Sequence, residues 1–345
     1  MVDSEQQELD TAASQQGGND SPDDAPLLFG RVLDGKGGGR PITWAEADKW
    51  QPGDDGEFLW LHICRNIEGV QGWLQAHGIP EPTAELLVSN DTRPRAFREG
   101  NTLVATLRGI NFNPGAEPED MVALQVWSDG QRLYTLRRRP LQTPRQVLAQ
   151  IDAGRGPCDA GRTITDLVEA MIARMNSSIV DMNDAIDEME AKGTETDTDE
   201  MLSRIAVIRR NCLSLQRHMA PQHEALEIIS RSAPEWFEDD DRREIAESID
   251  RLRRYLEDIN ISKESALVLQ DDIRARALSR SERTNYLLTI VAAIFLPLGF
   301  LTGLMGINVG GMPGVDDVHG FWIVVGLCGM ILLAQIILFW KWKWL

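Results

Sequence analysis

The 345-residue chain is poor in cysteine, in positive charge and in catalytic motifs, and each shortage excludes something. Its four cysteines (Cys64, Cys158, Cys212 and Cys328) are far apart and form no CxxC pair, which excludes a disulfide framework and fits a reducing compartment. Lys and Arg number 35 against 53 Asp and Glu, for a formal net charge of −18. Such an acidic body repels a phosphate backbone, so nucleic acid is excluded as a partner and cations are favoured. No nucleophile elbow, Cys/His pairing or HExxH is present, which predicts a non-enzyme without a resident cofactor. The opening MVDSEQQELD has no basic stretch leading into an apolar run, so no secretory leader is expected. Proline and glycine are absent from Arg242 until Pro297, a span too long for anything but extended helix.

What is present divides by composition. Residues 1–26 hold seven acidic side chains and no Lys or Arg, and read as a disordered acidic leader. Residues 27–143 read as a mixed α/β domain, with strands predicted at 58–64, 102–107, 121–127 and 132–136 and short helices at 43–50, 69–77 and 83–88. Residues 144–233 read as a helical region. Thr163 or Thr165 is expected to cap a helix running to about residue 191, a turn covers 193–199, and a second helix over 201–230 is interrupted near Pro221. Pro234 is expected to open the long stalk helix of 234–285. Its apolar positions Ile245, Ile249, Leu252, Leu256 and Ile259 follow 4,3,4,3 spacing. The same register continues through Lys263, Ala266, Gln270, Ile273, Ala277 and Arg280, predicting a packed seam that turns wet toward its end. A helix lying on its own domain's core would show the same stripe.

Residues 286–306 and 320–340 are each 21 residues without a charge, enough to cross the roughly 30 Å hydrocarbon layer at about 1.5 Å per residue. They are read as transmembrane helices 1 and 2. Arg274, Arg276, Arg280 and Arg283 precede the first span and Lys341 and Lys343 follow the second, whereas loop 307–319 carries Asp316 and Asp317 and no Lys or Arg. The positive-inside rule places both the N-terminal body and the 341–345 tail in the cytoplasm and the loop outside, with Trp340, Trp342 and Trp344 as an interfacial anchor. Two spans cannot enclose an aqueous path alone, so transport demands an oligomer. Ala292, Ala293, Gly299, Gly303 and Gly306 make the first span the inner helix, whether they serve close packing or a narrow lumen. The second span, rich in bulky side chains, suits membrane lipid.

At the outer end of the first span the chain reads Gly306-Ile307-Asn308-Val309-Gly310-Gly311-Met312-Pro313-Gly314. Five of these nine residues are Gly or Pro, so the helix must stop, leaving Asn308 as the polar side chain at the mouth. In a symmetric ring the Asn308 amide oxygens would accept hydrogen bonds from the water shell of a metal cation. Asp316 and Asp317 would concentrate such cations outside; His319 reads as an exposed loop histidine.

This arrangement resembles the CorA superfamily of two-span divalent-cation transporters, which carries a Gly-x-Asn signature after the first of two C-terminal spans. Gly306-Ile307-Asn308 through Gly314, together with Ala293-Ile294-Phe295-Leu296-Pro297-Leu298-Gly299-Phe300, is similar to the zinc-transporting ZntB branch. The magnesium branch usually has Gly-Met-Asn, and Met312 departs from the branched aliphatic residue expected. The resemblance implies a CorA-like pentameric funnel in the inner membrane: a homopentamer in which an α/β cytoplasmic domain is followed by a long helical stalk and two C-terminal transmembrane helices. It implies Zn2+ as the transported ion, with Cd2+, Ni2+ and Co2+ in the same group, and uptake by proton symport. Zinc efflux, and magnesium or cobalt transport by the same architecture, stand as alternatives. In that arrangement Asn285, Leu288, Ala292, Leu296, Gly299 and Gly303 fall on the helical face below Asn308 and would line the pore; a packing face has the same spacing. Leu288 and Leu296 would form hydrophobic constrictions. A coiled-coil scaffold without transport activity would have no use for the Gly/Pro-rich loop.

Other signals are structural. His218 and His223 are five apart around Pro221 and do not share a face as an i, i+4 metal pair would. Gly35-Lys36-Gly37-Gly38-Gly39 lacks the phosphate-loop spacing and reads as a turn, and Arg137, Arg138 and Arg139 as a solvated strand end.

Overall fold

The computed structural model describes residues 26–53, 56–117, 119–192, 198–307 and 319–342. The chain separates into two compact units, residues 1–268 and 269–345.

In the first unit seven strands form one sheet in the order β2-β1-β3-β7-β6-β5-β4. The strands are β1 (Leu27–Leu33), β2 (Gly39–Pro41), β3 (Phe58–Cys64), β4 (Arg95–Glu99), β5 (Thr102–Gly109), β6 (Val122–Ser128) and β7 (Arg132–Arg137). All neighbours run antiparallel except β3 and β7, which are parallel with Trp60 opposite Leu133 and Cys64 opposite Arg137. Strand alternation in β3 sends Leu59, Leu61 and Ile63 to one face. There they form a core with Val70 and Leu74 of α2 (Val70–Ala76) and Ala84 and Leu87 of α3 (Glu81–Val88). Trp60 and His62 occupy the alternate positions. The Trp60 indole N–H donates to Thr135 Oγ1 at 2.9 Å and His62 Nδ1 lies 2.9 Å from the same hydroxyl. Burial holds His62 well below the ordinary histidine range, with the Arg137 and Arg145 charges acting in the same direction.

The strands expected at 58–64, 102–107, 121–127 and 132–136 are present as β3, β5, β6 and β7. The helix expected at 43–50 is the single turn α1 (Trp44–Ala47), closed by a Thr43/Glu46 capping box. The Gly35–Gly39 segment is the β1–β2 turn, in which Asp34 Oδ1 accepts from the Lys36 and Gly38 amides. Arg138 and Arg139 are exposed, but Arg137 is buried, because it is still paired within β7.

Four expectations for the helices need correction. Thr163 and Thr165 are interior to α5 (Ala160–Ala173), where their hydroxyls donate to the carbonyls four residues back; Asp159 is the cap, its carboxylate accepting from Arg162 N at 2.7 Å. The helix expected to run to 191 is divided at Arg174, the C-cap of α5, and continues as α6 (Met175–Lys192). Pro221 does not interrupt α7 (Thr198–Ser232): it removes one ladder bond, and the adjacent Gln222 is buried and accepts the Arg108 amide of β5 at 2.6 Å. Pro234 lies in a turn closed by Phe237 N donating to Pro234 O, and the stalk helix α8 begins at Asp239, where three acidic residues face the helix N-terminus. Ahead of α5, α4 (Gln142–Asp152) completes the helical set.

The helix α8 (Asp239–Met305) is continuous over 67 residues and passes through Pro297, giving about 100 Å of helix. Its stripe is buried at Ile245, Ile249, Leu252, Ile259, Ala266 and Ile273 and half-buried at Leu256. Gln270 is buried as well, so the seam stays closed past the point where it was expected to become wet, and only Arg280 is fully outside it. Ser262 Oγ donates to Asn183 Oδ1 of α6 at 2.5 Å, Gln216 Nε2 of α7 donates to Asn260 Oδ1, and Arg162 of α5 pairs with Glu244. In its own domain α8 thus lies on three helices.

Candidate functional site

The second unit contains the membrane-length segments. The end of α8 and α9 (Gly320–Lys341) are each apolar over a stretch long enough to cross a membrane, and nearly all of that surface is left uncovered within the chain. The contact between the two helices is narrow. On α8, Ile290 is buried and Ala293, Ile294, Leu298 and Leu301 are half-buried; on α9, Phe339 is buried and Val324, Cys328, Ile331 and Gln335 are half-buried at three- to four-residue spacing.

Asn285, Leu288, Ala292, Leu296, Gly299 and Gly303 lie on the opposite side of α8, about half a turn away. All six are exposed: Leu288 is 63% and Leu296 75% accessible, and a Cβ added at Gly299 or Gly303 would meet nothing within 4 Å. The six residues form one open face along the span, which α9 leaves uncovered. Thr289 and Thr302 fold their hydroxyls back onto backbone carbonyls, so those polar groups are satisfied within the helix.

The mouth is described only in part. Helix α8 ends at Met305, Gly306 N donates to Thr302 O and Gly303 O, and Ile307 is exposed. Asn308, Gly310, Gly311, Pro313, Gly314, Asp316 and Asp317 lie outside the described residues. His319 is the N-cap position of α9, its carbonyl accepting from Ile323 N at 3.1 Å. On the other side of the span Arg276 pairs with Asp272 at 2.5 Å, one turn apart.

One polar contact within the hairpin escaped the sequence reading. Pro297 has no N–H, so the Ala293 carbonyl four residues earlier loses its helical donor. Gln335 Nε2 of α9 donates to that carbonyl at 3.0 Å, while Gln335 Oε1 is buried without a hydrogen-bond partner among the described residues. Hydrocarbon offers a stranded carbonyl no water, so the amide of the second span completes the backbone of the first. The signal was available: a proline marks the carbonyl four residues back, and span 320–340 contains a single amide side chain.

His218 and His223 both lie on α7. Burial, helped by the Arg108 and Arg217 charges and opposed by Asp120, lowers His218 to about 4, so its ring is neutral at physiological pH.

Comparisons with known proteins accord with this hairpin and sheet. The family model described as CorA-like Mg2+ transporter protein matches residues 55–341. The divalent cation transporter CmaX of Pseudomonas aeruginosa is 38% identical over 331 residues, covering 94% of this chain and 99% of that one. The zinc transport protein ZntB of Pectobacterium atrosepticum is 33% identical over 297 residues, covering 84% and 87%. The solved structure of full-length CmaX superposes with a TM-score of 0.83 at 36% identity, covering 94% and 100%. The CorA magnesium transporter from Methanocaldococcus jannaschii shares the fold, with a TM-score of 0.75 at 15% identity over 92% and 99%. With the matched region running from the sheet domain through both spans, the chain belongs to the CorA family of membrane transporters for divalent cations.

Proposed function

We propose that the chain is the subunit of a homopentameric inner-membrane transporter that takes zinc into the cytoplasm, with both termini cytoplasmic. The observation that carries this reading is the open face of α8, which runs from Asn285 through five small or apolar residues toward the Gly306-Ile307-Asn308 motif in the sequence. Five such faces around an axis would bury against one another what a single chain leaves bare, and would enclose the path that two helices cannot. Asn308 would ring the mouth and hold the hydration shell of the metal through amide oxygens. Leu288 and Leu296 would narrow the path below, and Asp316 and Asp317 would raise the local cation concentration outside. In this reading residues 27–143 and 144–233 build the cytoplasmic funnel and 234–285 its stalk. Entry follows an inward-negative potential worth about 2.3 kcal/mol per charge per 100 mV, twice that for a divalent ion.

Zinc flux into liposomes containing the purified protein tests this directly. Zinc should enter, and an outside-acidic pH gradient should accelerate it if protons are co-transported. Asn308→Ala should cut or alter the flux by about tenfold or more, tenfold being the worth of a single lost hydrogen bond at the mouth. Unchanged flux in that variant would remove Asn308 from the path. Magnesium or cobalt transport is the second reading, supported by the family description, and entry of magnesium without zinc would establish it over the first.

A further inference from the structure

The acidic first unit contains one strongly basic cavity. At the sheet end where β3, β7 and β5 finish and β6 begins, a cleft of about 190 Å3 is lined by Arg65, Asn90, Thr92, Arg108, Arg138 and Arg139, with β6 backbone residues as its floor and no Asp or Glu. Strand register assembles it: Cys64 pairs with Arg137, and Arg108 pairs with Ala123, so residues up to 74 positions apart reach one edge.

Two of the arginines are fixed. Arg65 is 7% exposed; its Nη1 donates to the Val88 and Ser89 carbonyls, while its Nε is buried with no hydrogen-bond partner among the described residues. Arg108 is held by the Thr92 carbonyl at 3.0 Å and by Thr92 Oγ1 and the Met121 carbonyl. Arg138 is exposed and reaches Asn90 Oδ1 at 3.2 Å. The crowding has a cost: burial, then the neighbouring guanidinium, lowers both Arg65 (beside Arg138) and Arg108 (beside Arg65). One buried and one half-buried guanidinium, with two exposed ones at the rim and no carboxylate in the lining, are costly to hold together unless an anion joins them.

We propose that this cleft binds a phosphate-type oxyanion, either inorganic phosphate or the phosphate head of a small phosphomonoester. Guanidinium forks match tetrahedral oxyanions through paired N–H donors, and the Thr92 and Asn90 side chains add polar contacts at the rim. The carboxyl ends of parallel strands, here β3 and β7, are where open α/β sheets admit ligands. At about 190 Å3 the cleft has room for a phosphate group together with several waters or a small substituent. The site is separate from the membrane path and stands whether or not the transported ion is zinc.

Calorimetric titration of the full-length protein in detergent tests it, with inorganic phosphate, a nucleoside monophosphate and chloride at matched ionic strength. Saturable phosphate binding, absent with chloride, is expected. Tighter binding of the monophosphate identifies an ester head; equal or weaker binding identifies free phosphate. Arg138→Gln/Arg139→Gln, which changes only exposed side chains, should weaken binding about tenfold or more, and Arg65→Met further still. No saturable heat, equal heats with chloride, or unchanged affinity in the double variant would overturn the proposal. So would an altered oligomeric mass of the double variant without phosphate binding, which would assign the cleft to carboxylates of a second copy.

Discussion

Leu61 and Leu296 are the same side chain in opposite circumstances. Leu61, in β3, is fully buried among strand and helix residues of its own chain; Leu296, in the first span, is 75% accessible. The sheet unit closes its core within one polypeptide, whereas the hairpin leaves most of its apolar surface for lipid or for other copies to cover. One sequence thus specifies a finished domain and an unfinished one, and the unfinished part carries the motif at the membrane.

The largest test of this contrast pairs those two leucines. Leu61→Ala should cost about 3 kcal/mol of stability, from lost burial and the cavity left behind, read as a lowered thermal midpoint of the sheet unit. Leu296→Ala should change that stability by less than about 0.5 kcal/mol and, if the proposed path holds, should raise divalent-cation flux through a widened constriction. Equal destabilisation by both would place Leu296 in a packed core and dissolve the distinction.

A smaller effect should appear only in the finished domain. Folded His218 titrates at about 4 and an unfolded histidine near 6.5, so on acidification the unfolded chain takes up the proton first. The stability supplied by the neutral ring is therefore complete above about pH 6.5. It declines toward pH 4, by at most about 1.4 kcal/mol per pH unit for this one proton. His218→Gln should flatten that part of a stability-against-pH curve measured by tryptophan fluorescence; an unchanged slope would show that His218 is already solvated.

The smallest concerns the Gln335–Ala293 hydrogen bond across the hairpin. Gln335→Leu should cost about 1 kcal/mol in unfolding of the solubilised protein, by stranding the Ala293 carbonyl. In a Pro297→Ala background the helix regains its own donor, and the same substitution should cost close to nothing. Additive effects in this double-mutant cycle would mean that Gln335 does not serve the proline break.

How much of this was legible in the sequence depended on distance along the chain. Strand β3 was readable to the residue because six of its seven positions are apolar, with only His62 between them, and the spans because nothing charged interrupts them. Strand β4, reading Arg-Ala-Phe-Arg-Glu, was missed: as an edge strand it is largely solvated, and its apolar signal is two residues long. The prolines misled in both directions. Pro221 was read as a break that packing against β4 and β5 overrides, and Pro234 as a helix start that the acidic run at 239–241 supplies instead. On the candidate path, helical spacing picked out the open face of α8 without the structure. The arginine cleft had no comparable signature, since only the pairing of β3, β5, β6 and β7 brings its members together.

The unbroken helix α8 has one more consequence. Within the second unit it carries the last buried positions, Leu269, Gln270 and Ile273, and the open face beginning at Asn285 on a single winding, so the azimuth of one dictates that of the other. Inserting one residue between them would swing the six-residue face by about 100° without altering a single side chain in it. In the proposed assembly, what faces the axis would therefore be decided by a count of residues in a segment that lies outside the proposed path.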